Sequence, residues 1–373
     1  MVFTWDALDP ENPALAQVLA EREPARRHRV LPILDAGLEG AWPDLPQRLG
    51  AYAERHRTRL LLAGEPLVVA GGEGAKNDPG LLPALQRHFQ SHHMDRHSFV
   101  LAIGGGSVLD AVGFAAATCH RGLRLVRMPS TVLAQNDSGV GVKNGVNAFG
   151  TKNFMGAFAP PYAVVNDLRL LERLPARERV SGFAEAVKVA LIRDGDFFAW
   201  IEEAAAALAV GEWEALATLI RRCAELHLRH IATSGDPFEH GSARPLDFGH
   251  WAAHKLETLT GHELHHGEAV AIGLVLDSRY SADVGLLPAP DLERIVSLLG
   301  RLGLPRWHPA LDAVDGDGRR RVLRGLDEFR EHLGGELTIS LLRGIGRAVE
   351  VHDLDTARVD AAITWMRDRV SGR

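Results

Sequence analysis

Cysteine is nearly missing from this chain. Its 373 residues include two, Cys119 and Cys223, far apart and with no CxxC pair. That excludes a disulfide framework and makes a reducing compartment the expectation. Long apolar runs are missing too: no stretch approaches 18 uncharged apolar residues, so no spanning helix is expected. Charge never accumulates in one sign. Lys and Arg number 42 against 48 Asp and Glu, a formal −6. A nucleic-acid groove or an anionic membrane surface needs a basic face, so neither is expected as a partner. Any anionic ligand must be held by a local cluster of cations. The opening MVFTWDALDPENP places acids and prolines where a signal peptide needs a basic start and an apolar run. A cytoplasmic location is therefore the expectation. No internal repeat, low-complexity linker, Ser–His–Asp pattern or reactive-cysteine pattern occurs.

What is present is enough chain for two domains, a hydrophobic content of 46%, and 18 histidines, several of them crowded between Arg229 and His266. In the first half, short apolar runs end in turn residues. Arg29 to Leu34 stops at Asp35, Pro66 to Ala70 at Gly71-Gly72, Ser98 to Ile103 at Gly104-Gly105-Gly106, and Arg124 to Met128 at Pro129. Helical patterns lie between them at Leu81 to Gln90 and Ser107 to Cys119, and Ala163 to Asn166 reads as a last strand. Strand, glycine turn, helix, strand predicts a Rossmann-like parallel α/β sheet over residues 1–167. From about Leu168 the periodicity becomes helical: Glu178 to Arg193, Asp196 to Ala209, Glu212 to Ile231, His250 to Thr260 and Glu268 to Ser281. Leu337 to Leu342 is a lone late strand candidate, and the chain closes on a helix. A mostly α-helical domain is thus expected over 168–373, packed tightly enough on the first to share a cleft.

Gly104-Gly105-Gly106-Ser107 follows an apolar strand and opens a helix carrying Asp110, as a phosphate-cradling turn does. It lacks the full GxGxxG pattern, and such turns occur in many α/β proteins. A second glycine turn, Gly71 to Lys76, adds Glu73 and Lys76, and two such turns favour a dinucleotide cleft. Asp35 is placed to take ribose hydroxyls or simply to cap a turn. His250 and His254 share one helix face, His266 follows, and Glu185 heads GFAEAVK. Two histidines and a carboxylate with an open position form a catalytic zinc set, unless the histidines are only a surface cluster. Lys143, Lys152-Asn153 and Lys188 supply ammonium groups for an anionic ligand such as a phosphate ester, unless they merely face solvent.

Read in order, IGGGSVLDAVGFAAAT, PSTVLAQNDSGVGVKNGVN, KNFMGAF, GFAEAVKVALI, FGHWAAH and HHGEAVAIG resemble the signature blocks of the dehydroquinate-synthase-like sugar phosphate cyclases. The similarity runs from about Asp35 to Gly346. It implies an NAD-binding α/β domain joined to a helical domain holding a divalent metal, commonly zinc or cobalt, in a homodimer. Such enzymes convert a small sugar phosphate to a carbocycle with loss of phosphate, regenerating NAD in each turnover. By resemblance, Glu185, His250 and His266 hold the metal. Asp35, Glu73, Lys76, Gly105, Gly106, Asp110, Ser130, Thr131, Asp137, Lys143 and Glu178 contact NAD. Lys152, Asn153, Lys188 and His254, with Lys143, face the chemistry, and Arg121 reaches the phosphate of the partner subunit.

Four departures bear on the substrate. Dehydroquinate synthases carry asparagine where this chain has Asp247, and lysine where it has Arg229-His230. Their arginine before the metal helix is displaced by one residue to Arg244. Their late DKK motif is replaced by EFREHLGG, with His332 the nearest candidate. These positions hold a substrate carboxylate in the dehydroquinate enzymes. The ARPLDFGH and EFREHLGG stretches look more like the branch that cyclises sedoheptulose 7-phosphate to valiolone-type products. The competing expectations are 3-dehydroquinate synthase proper, a metal-dependent alcohol dehydrogenase related to glycerol dehydrogenase, and a nucleotide-binding protein without catalysis.

Overall fold

The apolar runs of the first half become parallel strands because each is short, rich in branched residues and closed by a residue that turns the chain. The computed structural model describes residues 1–149, 151–233, 245–332 and 337–370. It divides into two compact units, Met1–Pro175 and Ala176–Arg373. The sequence places the division after residue 167; in the structure the 3-10 turn Leu168–Leu171 stays with the first unit, where Leu170 packs into the core.

The first unit is built on a seven-stranded sheet. Its strands are β1 (Val2–Thr4), β2 (His28–Asp35), β3 (Leu60–Leu62), β4 (Leu67–Val69), β5 (Phe99–Gly104), β6 (Arg124–Pro129) and, after a hairpin of β7 (Lys143–Ala148) and β8 (Thr151–Phe158), β9 (Ala163–Asp167). The order is β1-β9-β6-β5-β2-β3, with β4 also on β2, and every pairing is parallel. Alternate residues of the central strands feed two cores. Val30, Leu34, Leu101 and Ile103 pack with Leu38, Leu45 and Leu49 from the helices after β2. Leu31, Ile33, Val100 and Ala102 pack with Val108, Leu109 and Val112 from the helix Gly106–Thr118 after β5. The chain therefore leaves β2 and β5 toward opposite faces, and the carboxyl ends of these neighbouring strands form a topological switch point.

The second unit is mostly helical. Its helices include Ala176–Ser181, Phe183–Arg193, Gly195–Val210, Trp213–Thr233, His250–Leu259, His266–Asp283, Ala289–Arg301 and Thr356–Val370, with one small antiparallel pair, β10 (Ile339–Gly344) and β11 (Arg347–Val351). The pattern expected as one helix over 178–193 is broken at Gly182. The late strand is not alone: β10 pairs with β11. Helix His266–Asp283 is buried along most of its length. No helix among the described residues is long and apolar enough to cross a membrane.

Candidate active site

Helix His266–Asp283 meets two neighbouring segments of the second unit through glycines. A Cβ at Gly273 would lie 2.0 Å from the carbonyl oxygen of Gly249, and Gly249 itself has φ +78°. Side chains at this crossing would hold the His250–Leu259 and His266–Asp283 helices apart; without them the backbones touch. Gly267 meets the carbonyl of Ser181 in the same way, 1.9 Å from its would-be Cβ. The result brings Glu185, His250 and His266 together, one donor atom from each lying within 4.8 Å of the others.

Glu185 is fully buried. Its Oε1 lies 3.6 Å from His250 Nε2 and 3.4 Å from His266 Nε2, while Oε2 pairs with Lys188, three residues on in the same helix. Neither carboxylate oxygen forms a hydrogen bond of ordinary geometry. Burial pushes this carboxyl up, but the contacts led by the Lys188 ammonium outweigh it and hold it well below the usual carboxylate range. His250 Nδ1 lies 3.1 Å from the carbonyl of Phe248; a carbonyl only accepts, so Nδ1 carries the proton and the unprotonated Nε2, free to bind a cation, is the nitrogen on the Glu185 side. His266 Nδ1 lies 3.1 Å from Glu257 Oε2, which likewise turns its Nε2 to Glu185. Ligands about 2.0–2.2 Å from a tetrahedral cation stand about 3.4 Å apart. The two separations from Glu185 match that spacing, so the residues fit a zinc-like ion. His254 stands one turn after His250, exposed, its ring 5.4 Å from that of His250 and 6.0 Å from that of His266.

In the first unit, the carboxyl ends of β2 and β5 are tied by Asp35. It caps the helix Ala36–Ala41 by accepting from Gly37 N at 2.8 Å and takes Gly105 N at 3.2 Å. Asp35 thus does cap a turn. A Cβ at Gly106 would meet Ser138 Oγ at 2.5 Å, whereas at Gly105 the nearest atom is an ordinary 3.6 Å away. Gly105 precedes the amino end of Gly106–Thr118, the position where a helix favours an anion. Ser130 N bonds to Gly104 O across β5 and β6, Thr131 Oγ1 accepts from Ala134 N, and Asp137 lies in the π-helical turn Ala134–Ser138. Lys76, 2% exposed, reaches Asp110 Oδ2 at 3.1 Å and Glu73 Oε1 at 3.6 Å, and also bonds Asn153 Oδ1. Lys152 Nζ approaches Glu73 Oε1 at 3.8 Å. The structure thus joins residues read separately as NAD and substrate contacts into one cluster.

Arg121 occupies an exposed turn with φ +63°, between the end of Gly106–Thr118 and the start of β6. Strands here are parallel, so it sits at the opposite edge of the sheet from Asp35 and Gly105. Lys143 opens β7 and is exposed. Glu178 belongs to the second unit and pairs with His265 Nδ1 at 3.2 Å. Asp247 is half-buried in the short turn Pro245–Asp247, three residues before His250. His230 faces Arg193 at 3.1 Å. Arg244 and the side chain of His332 lie outside the described residues. Sequence reasoning passed over Glu257 and Asp277, both buried in this region. Asp277 accepts from Gly249 N at 3.0 Å and from Trp251 Nε1 at 2.9 Å, pinning the start of the His250 helix.

Comparison with known families matches residues 66–181 to the N-terminal model of 3-dehydroquinate synthase and residues 182–317 to its C-terminal model. The chain belongs to the 3-dehydroquinate synthase family. Within that family it is 37% identical to a 2-epi-5-epi-valiolone synthase of Streptomyces glaucescens, over 94% of this chain and 86% of that one. It is 38% identical to a 3-dehydroquinate synthase of a Bradyrhizobium species, over 80% of each chain. Among solved structures it resembles the 2-epi-5-epi-valiolone synthase ValA of Streptomyces hygroscopicus subsp. jinggangensis, which has NAD+ and Zn2+ bound. That similarity has a TM-score of 0.86 at 31% identity, covering 99% of this chain and 96% of ValA. The chain is an enzyme-family member with the α/β and helical domains of this family.

Proposed function

We propose that this chain is a sugar phosphate cyclase that uses NAD and a divalent cation, zinc or cobalt, to turn a sedoheptulose 7-phosphate-like ketose phosphate into a carbocycle with loss of inorganic phosphate. The observation that carries the reading is the set of donors at Glu185, His250 and His266, spaced for one tetrahedral cation. Bound, the cation supplies Lewis acidity toward an alcohol oxygen and NAD a hydride acceptor that is restored within the turnover. The reaction is then a phosphate elimination and ring closure with no net oxidation, a carbon–oxygen lyase chemistry.

The chain's own residues divide the remaining work. Glu185, His250 and His266 hold the cation, and Lys188 keeps the Glu185 carboxylate anionic. His254, exposed beside them, is the group assigned to carry a proton at a substrate oxygen. Lys152 and Asn153 hold the phosphate, and Lys143 adds a second ammonium. Asp35, Glu73, Lys76, Gly105, Gly106, Asp110, Ser130, Thr131, Asp137 and Glu178 serve the dinucleotide. Arg121 is assigned to the site of a second copy in a homodimer, with Arg244 and His332 at the sugar's far end. The task is to orient a polyol and neutralise a dianion, which calls for ammonium groups rather than a strong nucleophile.

The substrate assignment rests on Asp247. A substrate carboxylate beside it would be repelled, whereas a hydroxymethyl can donate to it. The test is kcat/KM by phosphate release, measured on sedoheptulose 7-phosphate beside 3-deoxy-arabino-heptulosonate 7-phosphate. The expected preference for the neutral sugar is on the order of a hundredfold. The reverse preference would make the chain a 3-dehydroquinate synthase, a reading favoured by the 38% match to that enzyme. NADH accumulating in step with product would instead show a dehydrogenase.

A further inference from the structure

Helix His250–Leu259 carries His250, His254 and Glu257 at i, i+4 and i+7, one stripe along a single face. Glu257 is 3% exposed, and its Oε2 lies 3.1 Å from His266 Nδ1. The opposite ring nitrogen of His266 lies 3.4 Å from Glu185 Oε1. The imidazole is therefore gripped between two buried carboxylates, one at each nitrogen. His266 is the first residue of its helix, following the loop that ends in His265, so the turn preceding it gives its ring no helical wall to pack on. Orientation has to come from elsewhere.

We propose that Glu257 is the positioning residue of the metal site: it accepts the Nδ1–H of His266, fixes that tautomer and ring plane, and so presents Nε2 as the ligand. This rests on the reading of Glu185, His250 and His266 as metal ligands. A rival arrangement exists, since His254, Glu257 and His266 also offer donor atoms within 4.8 Å of one another. The two sets share His266, and its Nδ1 cannot both donate its proton to Glu257 and bind a cation beside Glu257. The first set is favoured because Phe248 turns His250 Nε2 toward Glu185. In that arrangement Glu257 makes the outer-shell carboxylate–histidine contact that orients a ligand without touching the metal.

The experiment measures Zn2+ and Co2+ affinity of the purified full chain against a chromophoric chelator, with the Co2+ visible spectrum recorded alongside. Glu257→Leu should bind 10- to 100-fold more weakly. Glu257→Gln, whose amide oxygen still accepts from Nδ1, should recover most of that loss, with the same Co2+ spectrum as the parent. NAD+ affinity of both variants should be unchanged, which a general loss of structure would not leave intact. Both variants within twofold of the parent would overturn the proposal. So would a His250→Ala chain that keeps full Co2+ affinity while Glu257→Gln loses it, because the cation would then sit in the rival set. A parent chain that binds neither ion overturns the metal reading itself, and this one with it.

Discussion

The two clusters of polar residues solve opposite problems. In the second unit, Glu185, His250 and His266 project from three helices; the backbone of the His266 helix touches Gly249, at the start of the His250 helix, and Ser181, just before the Glu185 helix, and the outer nitrogen of each histidine is already bonded. In the first unit, Glu73, Lys76, Asp110, Lys152 and Asn153 come from turns, a helix and a hairpin, and they neutralise one another. The helical site is organised before any ligand arrives. Under the proposed function the loop cluster would exchange its internal pairs for ligand contacts, so part of the binding energy would go into breaking them. Rigidity suits an ion that needs donors at fixed distances; exchangeable pairing suits a flexible polyanion that comes and goes.

The sharpest break of this contrast is removal of a donor. His250→Ala or Glu185→Gln should weaken Zn2+ or Co2+ binding by more than the roughly hundredfold expected for losing an outer partner, measured by chelator competition. A loss below tenfold would mean the trio is not the site. Next, Gly273→Ala places a methyl where the Gly249 carbonyl stands, and should cost about 1–3 kcal/mol of stability in urea unfolding while weakening metal binding. Unchanged stability with intact metal affinity would mean the helix crossing is not what sets the donors. In the loop cluster, Lys76→Met should lower NAD+ affinity by about tenfold in calorimetry, while leaving metal affinity alone. Equal losses of both ligands would erase the distinction between the two sites.

The smallest effect concerns Asp277. Burial pushes its carboxyl up to about 7, against the hydrogen bonds from Trp251 and Gly249 that pull it down. A folded-state value above the unfolded one stabilises the neutral form. That contribution is complete below the ordinary carboxyl range and is lost as pH rises through about 7. Asp277→Asn cannot ionise. The stability advantage of the parent over this variant, in metal-free protein, should therefore shrink by about 1 kcal/mol between roughly pH 6 and 8. A difference flat across that range would show that the carboxyl titrates elsewhere.

The parallel strands were legible because β2, β4, β5, β6 and β9 are each an apolar run with its own stop. The β7–β8 hairpin was not, because KNGVNA carries no alternating apolar face. It is held instead by Asn144, whose amide donates to the carbonyls of Val142, Ala157 and Ala159 and accepts from the buried Arg127. No local pattern announces such a bond. The break at Gly182 was hidden for a similar reason: helical periodicity continues through it, and the neighbour that meets the Ser181 backbone there, Gly267, lies 86 positions away. The candidate metal donors were visible as residue types and as motifs. Glu257 was not, since a glutamate on a helix reads as a solvated charge until its neighbour is known.

The contact between Gly249 and Gly273 has a mechanical meaning. Side chains between helices act as springs, because they can change rotamer when one helix shifts. Two backbones in direct contact have no such compliance. A displacement of the His266 helix is passed undamped to the helix bearing His250, and the two move as a single lever. The distance between those histidines is then set by backbone contact, and thermal motion would reach a cation held there as translation of the whole pair, not as a stretching of its ligands.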